Sequence, residues 1–189
     1  MARKIMFTKQ EILNAALDIT RESGFLAVTA RAIGNRLGTS YRPICSFFEN
    51  MSEVQNAVIK EANEIYQNYL KEDMSSGKYP PYKASGMAYI RFAKEEKELF
   101  KLLFMRDRSQ EIIKENPQEM DALIGLINKQ VNIDKEEARL FYLEMWAFTH
   151  GIASMIATNY LDFDESFVSQ ALTDGYEGLK CRYKNGDAR

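Results

Sequence analysis

The stretch Gly24–Val54, GFLAVTARAIGNRLGTSYRPICSFFENMSEV, decides how the chain is read. Thr29 is placed to cap a helix, because its hydroxyl can accept from an unpaired backbone N–H of the first turn. Ala30, Ile33 and Leu37 then recur at helical spacing on one face. Gly38 follows at once, where a helix ends by entering the left-handed backbone region that glycine visits cheaply. Thr39 and Ser40 give a second cap signal. Pro43 falls in the first turn of the next helix, where its missing N–H removes no intrahelical bond. Ile44, Phe47 and Phe48 supply that helix with an apolar face. Two short helices joined by a tight glycine turn form a helix-turn-helix, whose second helix is built to enter the DNA major groove.

Upstream, Met1–Phe7 reads as a loose basic arm. A first helix is expected over Thr8–Ser23, with Thr8 and Glu11 forming a capping box and Gly24 ending it. Phe25, Val28, Ile33, Leu37, Ile44 and Phe48 are the expected small core. Fifty residues make a thin core, so this part must lean on the helix that follows. That helix is expected from Met51 to Asp73, long enough to belong to two domains. Gly77, Pro80 and Pro81 then mark a clear break. Further helices are expected over Tyr82–Glu95 and Lys97–Met105, with a bend near Glu96. Another spans Ser109–Gln130, where Pro117 either kinks the helix or restarts it after Asn116. The last two cover Lys135–Asn159 and Glu165–Arg182, and the polar tail KNGDAR is expected to fray. The fold expected is all-α, about nine helices, with residues 1–54 as a helix-turn-helix domain and 55–189 as a ligand-binding and dimerisation domain.

Composition sets limits. The hydrophobic content is 46%, the charged content 28% and the mean hydropathy −0.38, ordinary values for a globular protein. No apolar run is long enough to span a membrane. The N-terminus lacks the apolar region of a secretory signal, so a cytoplasmic protein is expected. Cys45 and Cys181 fit no metal spacing and are expected as reduced thiols, Cys45 buried and inert. The net charge is −2, yet residues 1–50 hold seven basic and four acidic side chains, +3, leaving −5 for the remainder. DNA responds to the local field, so the asymmetry matters more than the sum. Glu95-Glu96 and Glu136-Glu137 are adjacent on helices and do not face one another. No nucleophile elbow, phosphate-cradling glycine loop or metal cluster is present. No catalytic, cofactor or metal role is therefore expected.

In the expected recognition helix, Ser40, Tyr41, Arg42, Cys45 and Phe47 are the groove candidates, with Thr29 and Arg31 placed to position the backbone. Arg42 can fork onto a guanine edge or hold a phosphate, and Tyr41 can stack or donate to a phosphate. The small residues Ala153, Ser154, Ala157, Ala171, Gly175 and Gly178 in the last two helices permit close helix approach. Two such helices from each subunit would make a four-helix homodimer core, and a two-fold dimer is what paired half-sites require.

The pattern Gly24, Phe25, Thr29, Ile33, Gly38, Ser40, Ile44, Phe47, Phe48, Asn50, Glu53 and Val54 resembles the N-terminal domain of the TetR/AcrR family of transcriptional regulators. There are departures. Gly34 stands where Ala is usual, Cys45 where a Tyr usually touches a phosphate, and Met51 where a Lys often does. Further on, Trp146-Ala147-Phe148-Thr149-His150-Gly151 resembles the Trp-x-x-x-His-Gly signature of one C-terminal domain type in that family. The resemblance implies a repressor that binds a palindromic double-stranded operator and releases it when a small apolar or aromatic effector binds. It implies an effector pocket lined by Trp146, Thr149 and His150, with Phe92, Phe104, Tyr142 and Met145 nearby; the same residues also read as ordinary core packing. The alternative is a helical ligand-binding or protein-interaction module with weak or lost DNA binding.

Overall fold

The computed structural model describes residues 7–42, 44–107, 109 and 117–184. The expected basic arm at residues 1–6, Pro43, the run 110–116 and the tail 185–189 lie outside the described residues. Among those described there are eight α-helices and no strand: α1 Lys9–Ser23, α2 Ala30–Arg36, α3 Met51–Ser75, α4 Pro81–Glu95, α5 Lys97–Phe104, α6 Pro117–Ile127, α7 Lys135–Ala157 and α8 Glu165–Lys184. The chain divides into two compact units, Met1–Gln67 with Glu96–Arg106, and Asn68–Glu95 with Asp107–Arg189.

Helix ends in the first unit follow local chemistry. Thr8 Oγ1 accepts from the Glu11 N–H at 3.2 Å, and Glu11 Oε2 accepts from the Thr8 N–H at 2.7 Å, closing the capping box. Thr29 Oγ1 accepts from the Ala32 N–H at 3.1 Å and caps α2. At the far end of α2 the Thr39 N–H reaches the Gly34 carbonyl (2.9 Å) and the Gly38 N–H reaches that of Asn35 (3.2 Å), a Schellman pattern. It needs Gly38 at φ +65°. A Cβ at Gly34 would lie 3.0 Å from the Thr39 carbonyl oxygen and 3.2 Å from the Ser40 carbonyl carbon. Gly34 therefore lets the turn fold back close onto α2.

The expected recognition helix is a correction. After the turn the chain makes a three-residue 3-10 turn, Ile44–Ser46, with the Ile44 N–H on the Tyr41 carbonyl (3.0 Å) and the Phe47 N–H on that of Ile44 (3.1 Å). Asn50 caps α3 by accepting from the Glu53 N–H at 3.0 Å, so the next α-helix begins at Met51 and Ile44–Ser46 stands as a separate turn before it. Ile44 and Phe48 are buried as expected, whereas Phe47 is exposed and Phe25 and Leu37 are half-buried. The core of this unit is completed by α1 residues Ile12 and Ala16, α3 residues Val54 and Val58, and α5 residues Leu99 and Phe100, all buried.

In the second unit α4 packs on α7 and α8, and α6 packs on α7. The core is built from Ala84, Ala88 and Phe92 of α4, Ile124 and Ile127 of α6, Phe141, Met145, Ile152 and Ala153 of α7, and Val168 and Leu172 of α8. Helix α6 starts at Pro117, the restart that the sequence allowed, and passes into a π-turn at Asn128–Asn132. Asp134 and Glu137 cap α7 reciprocally, with bonds of 2.9 and 3.1 Å.

Two glycines separate backbone need from backbone cost. Neither would meet another atom through an added Cβ, but only Gly38 has a positive φ. Gly38→Ala should lower unfolding stability by about 1 kcal/mol, whereas Gly125→Ala, inside α6, should raise it by roughly 0.5–1 kcal/mol. Urea unfolding of the two variants against the unsubstituted chain checks both signs.

Candidate functional site

The nucleic-acid candidates all lie in the first unit, on α2 and the turn that follows it. Thr29 spends its hydroxyl on the cap of α2. Arg31, Ser40, Tyr41, Arg42, Cys45 and Phe47 are exposed, Tyr41 by 58% of its surface. The other described basic side chains of residues 7–50 are committed within the unit. Arg36 pairs with Glu22 and lies 3.8 Å from Asp18. Arg21 makes a two-point pair with Glu96, both bonds 2.8 Å. Lys9 sits over the Phe48 ring and 3.5 Å from Glu53. Among the described residues Arg31 and Arg42 have no ion-pair partner and present their guanidinium groups to solvent. Cys45 carries an exposed thiol, not the buried one expected, as does Cys181.

The C-terminal candidates separate into three places. Trp146 and His150, one turn apart on α7, stack with ring centres 5.1 Å apart and an interplanar angle of 10°. Trp146 remains 44% exposed. His150 Nδ1 lies 2.8 Å from the Tyr89 hydroxyl of α4. Burial lowers the His150 pKa and favours the neutral ring, which can accept the phenol proton at Nδ1 and carry its own at Nε2. Phe92, Met145 and Thr149 instead pack inside the unit. Phe92 meets Tyr69 edge-on at 5.4 Å. Thr149 donates to the Met145 carbonyl at 2.7 Å, and Met145 lies beside Gly175 of α8. Tyr142 is half-buried near Tyr82, whose phenol is pushed far up by burial first and by Tyr142 and Tyr176 next. Phe104 belongs to the first unit, edge-on to Tyr66 at 5.2 Å.

Two features were not marked in the sequence. A cleft of about 530 Å³ opens between α6 and the start of α7, lined by Met120, Asp121, Ile124, Asp134, Lys135, Glu136 and Arg139. Its walls mix charged side chains with the apolar Met120 and Ile124. The other is an apolar outer face on α7. Leu140, Leu143 and Met155 are exposed, and a Cβ on Gly151 would meet nothing within 4 Å. Of the small residues singled out, Ala153 and Ala157 turn inward and are fully buried, while Ser154, Ala171 and Gly178 remain accessible. A signal for this face existed: α7 is apolar around most of its circumference, which a one-sided surface helix is not.

No described helix is long and apolar enough to cross a membrane. Residues 82–174 match the model of the tetracyclin repressor-like C-terminal domain. No curated protein matches the sequence. Among solved structures, a TetR-like transcriptional regulator from Rhodococcus sp. RHA1 is similar over 98% of this chain and 99% of its own, with 18% identity and a TM-score of 0.66. A second transcriptional regulator from the same organism matches over 92% and 96%, with 15% identity and a TM-score of 0.59. The multidrug binding protein EbrR, complexed with imidazole, matches over 88% and 93%, with 15% identity and a TM-score of 0.58. With residues 82–174 matched by the model of the tetracyclin repressor-like C-terminal domain and the architecture shared along almost the whole chain, the protein has the fold of the TetR-like regulators.

Proposed function

We propose that the chain is a sequence-specific DNA-binding repressor, with the DNA contacts in residues 1–54 and effector binding and dimerisation in 55–189. The observation that carries this reading is the exposed turn after α2, where Tyr41, Arg42, Cys45 and Phe47 face solvent and Arg31 and Arg42 have no partner among the described residues. An unpaired guanidinium costs nothing to release from an internal partner and suits a phosphate or a guanine edge. Thr29 positions α2, and Ser40 stands beside Tyr41 as a further backbone donor.

The outer face of α7 with the accessible small residues of α8 supports a homodimer. Half-sites one helical turn apart, about 34 Å, would then match its two-fold axis. The half-exposed pair Trp146 and His150 supports an apolar or aromatic effector, and we assign Tyr142, Phe92, Met145 and Thr149 to the same effector-binding unit. The fold shared with a multidrug binding protein supports the same class. Phe104, in the other unit, supports it least. Release works by population shift: the effector must bind the operator-competent form less well than the other, and the operator must weaken the effector by the same factor.

A second reading, an interaction or ligand-binding module with weak DNA binding, draws on the recognition segment itself. A three-residue 3-10 turn presents less surface to a groove than a helix does, and Cys45 and Met51 replace two customary phosphate contacts.

Titration of the purified protein with DNA from upstream of its coding region, across a salt series, decides between the two. Neutralising about eight phosphates per dimer gives a log–log slope near −7, and the repressor reading expects at least a roughly thousandfold preference over random DNA. Arg42→Ala should weaken operator binding by about tenfold or more. Binding without sequence preference across genomic fragments would favour the module. Separately, Leu143→Glu, which places a charge on the outer face of α7, should shift the protein from dimer to monomer in sedimentation equilibrium while helical content is kept.

A further inference from the structure

Lys9 is the first residue of α1, directly after its cap Thr8. A cation in the first turn faces the positive end of the helix dipole and works against the helix. The Lys9 ammonium is instead engaged with residues just past the recognition turn, all within the first unit. It stands 4.6 Å from the centre of the Phe48 ring and 3.5 Å from Glu53 Oε1. The other oxygen of Glu53 accepts from the Glu49 N–H at 2.8 Å, and the Glu53 N–H donates to Asn50 Oδ1 at 3.0 Å. An ordinary capping box returns the carboxylate of the third helical residue to the N–H of the cap residue itself. Glu53 reaches one residue further back and holds the chain ahead of the cap.

Phe48 and Glu49 come directly after the turn that carries the nucleic-acid candidates. The Phe47 and Phe48 N–H groups both donate to the Ile44 carbonyl, at 3.1 and 3.0 Å. Phe48 is buried, whereas its neighbour Phe47 is exposed. Adjacent side chains leave the backbone in different directions, so a Phe48 ring held inward also sets where Phe47 and Cys45 point. Burial of Ile44 holds the start of the turn, and the charge pair holds its end. Lys9 and Glu53 are both well exposed, 54% and 42%, and a pair so exposed adds little to overall stability. What it supplies is orientation.

We propose that Lys9 is a positioning residue for the recognition turn: its ammonium, shared between the Phe48 ring and Glu53, fixes the end of the turn and does not itself meet DNA. The inference deepens the repressor reading and rests on it for the site that is served. Its first test needs no DNA.

Amide hydrogen exchange of the free full-length chain reads the turn directly. In Lys9→Met, which keeps most of the side chain and removes the charge, protection at the Phe47, Phe48 and Glu49 amides should fall by roughly fivefold. The Ala15 and Ala16 amides inside α1 and the urea midpoint should stay where they are. Lys9→Arg should restore the protection. Unchanged protection at the turn would overturn the proposal, and so would an equal loss inside α1, which is plain destabilisation. In the salt series with operator DNA, Lys9→Met should lower the preference over random DNA by roughly fivefold and keep the log–log slope. A slope smaller by about 0.9 would mark Lys9 as a phosphate contact and overturn the positioning role. Absence of any DNA binding by the unsubstituted chain would strike the repressor reading alone, and the exchange result would still decide whether Lys9 holds the turn.

Discussion

How closely α4 can lie against its neighbours governs the second unit. Ala84, Ala88 and Ala93 present almost no side chain, and Gly86 presents none, with a Leu172 methyl 3.1 Å from where its Cβ would stand. Ala153 and Ala157 answer from α7 and are fully buried. Small residues on facing helices bring backbones together, and the larger side chains then fill the flanks at crystal-like density. Phe92, Phe141 and Met145 do that here. The position of Tyr89 against His150, and with it the orientation of the Trp146 stack, follows from this seam. A candidate effector surface is thus held by residues that carry no polar chemistry of their own.

The first unit is organised by charge as much as by apolar packing. Arg21, Arg36 and Lys9 all pair with carboxylates inside the unit, so the net excess of positive charge over residues 1–50 is not a free field. Among the described residues of this stretch, Arg31 and Arg42 are the cations left for a polyanion. Such pairs on an open surface contribute little stability each. Their larger effect is to decide which cations remain available.

Most helix ends could be read from the sequence because they depend on neighbours three or four residues away. The Thr8–Glu11 box, the Thr29 cap, the Gly38 turn and the break at Glu96 all behave as their residue types dictate. The recognition segment did not: it forms a 3-10 turn, and the apolar spacing was correct for Ile44 and Phe48 but not for Phe47. The π-turn at Asn128–Asn132 had no signal beyond a run of polar residues. For Trp146 and His150 the spacing gave the stack, since residues four apart share a face. It could not give which of the aromatic and small residues turn inward, because α7 is apolar on several sides and only tertiary packing chooses among them. Phe104 shows the same limit: it belongs to the first unit because α5 joins that unit, and no local pattern records that.

The missing Cβ at Gly34 has a consequence for portability. The carbonyl groups of Thr39 and Ser40 lie within 3.4 Å of where that carbon would be. Residue 34 and the residues of the turn therefore form one structural unit. A relative with Ala at that position must hold its turn a few tenths of an ångström further out, which re-aims everything the turn displays. Grafting residues 38–47 onto such a scaffold would transfer the side chains without their placement, so whatever the turn displays moves with its supporting helix or not at all.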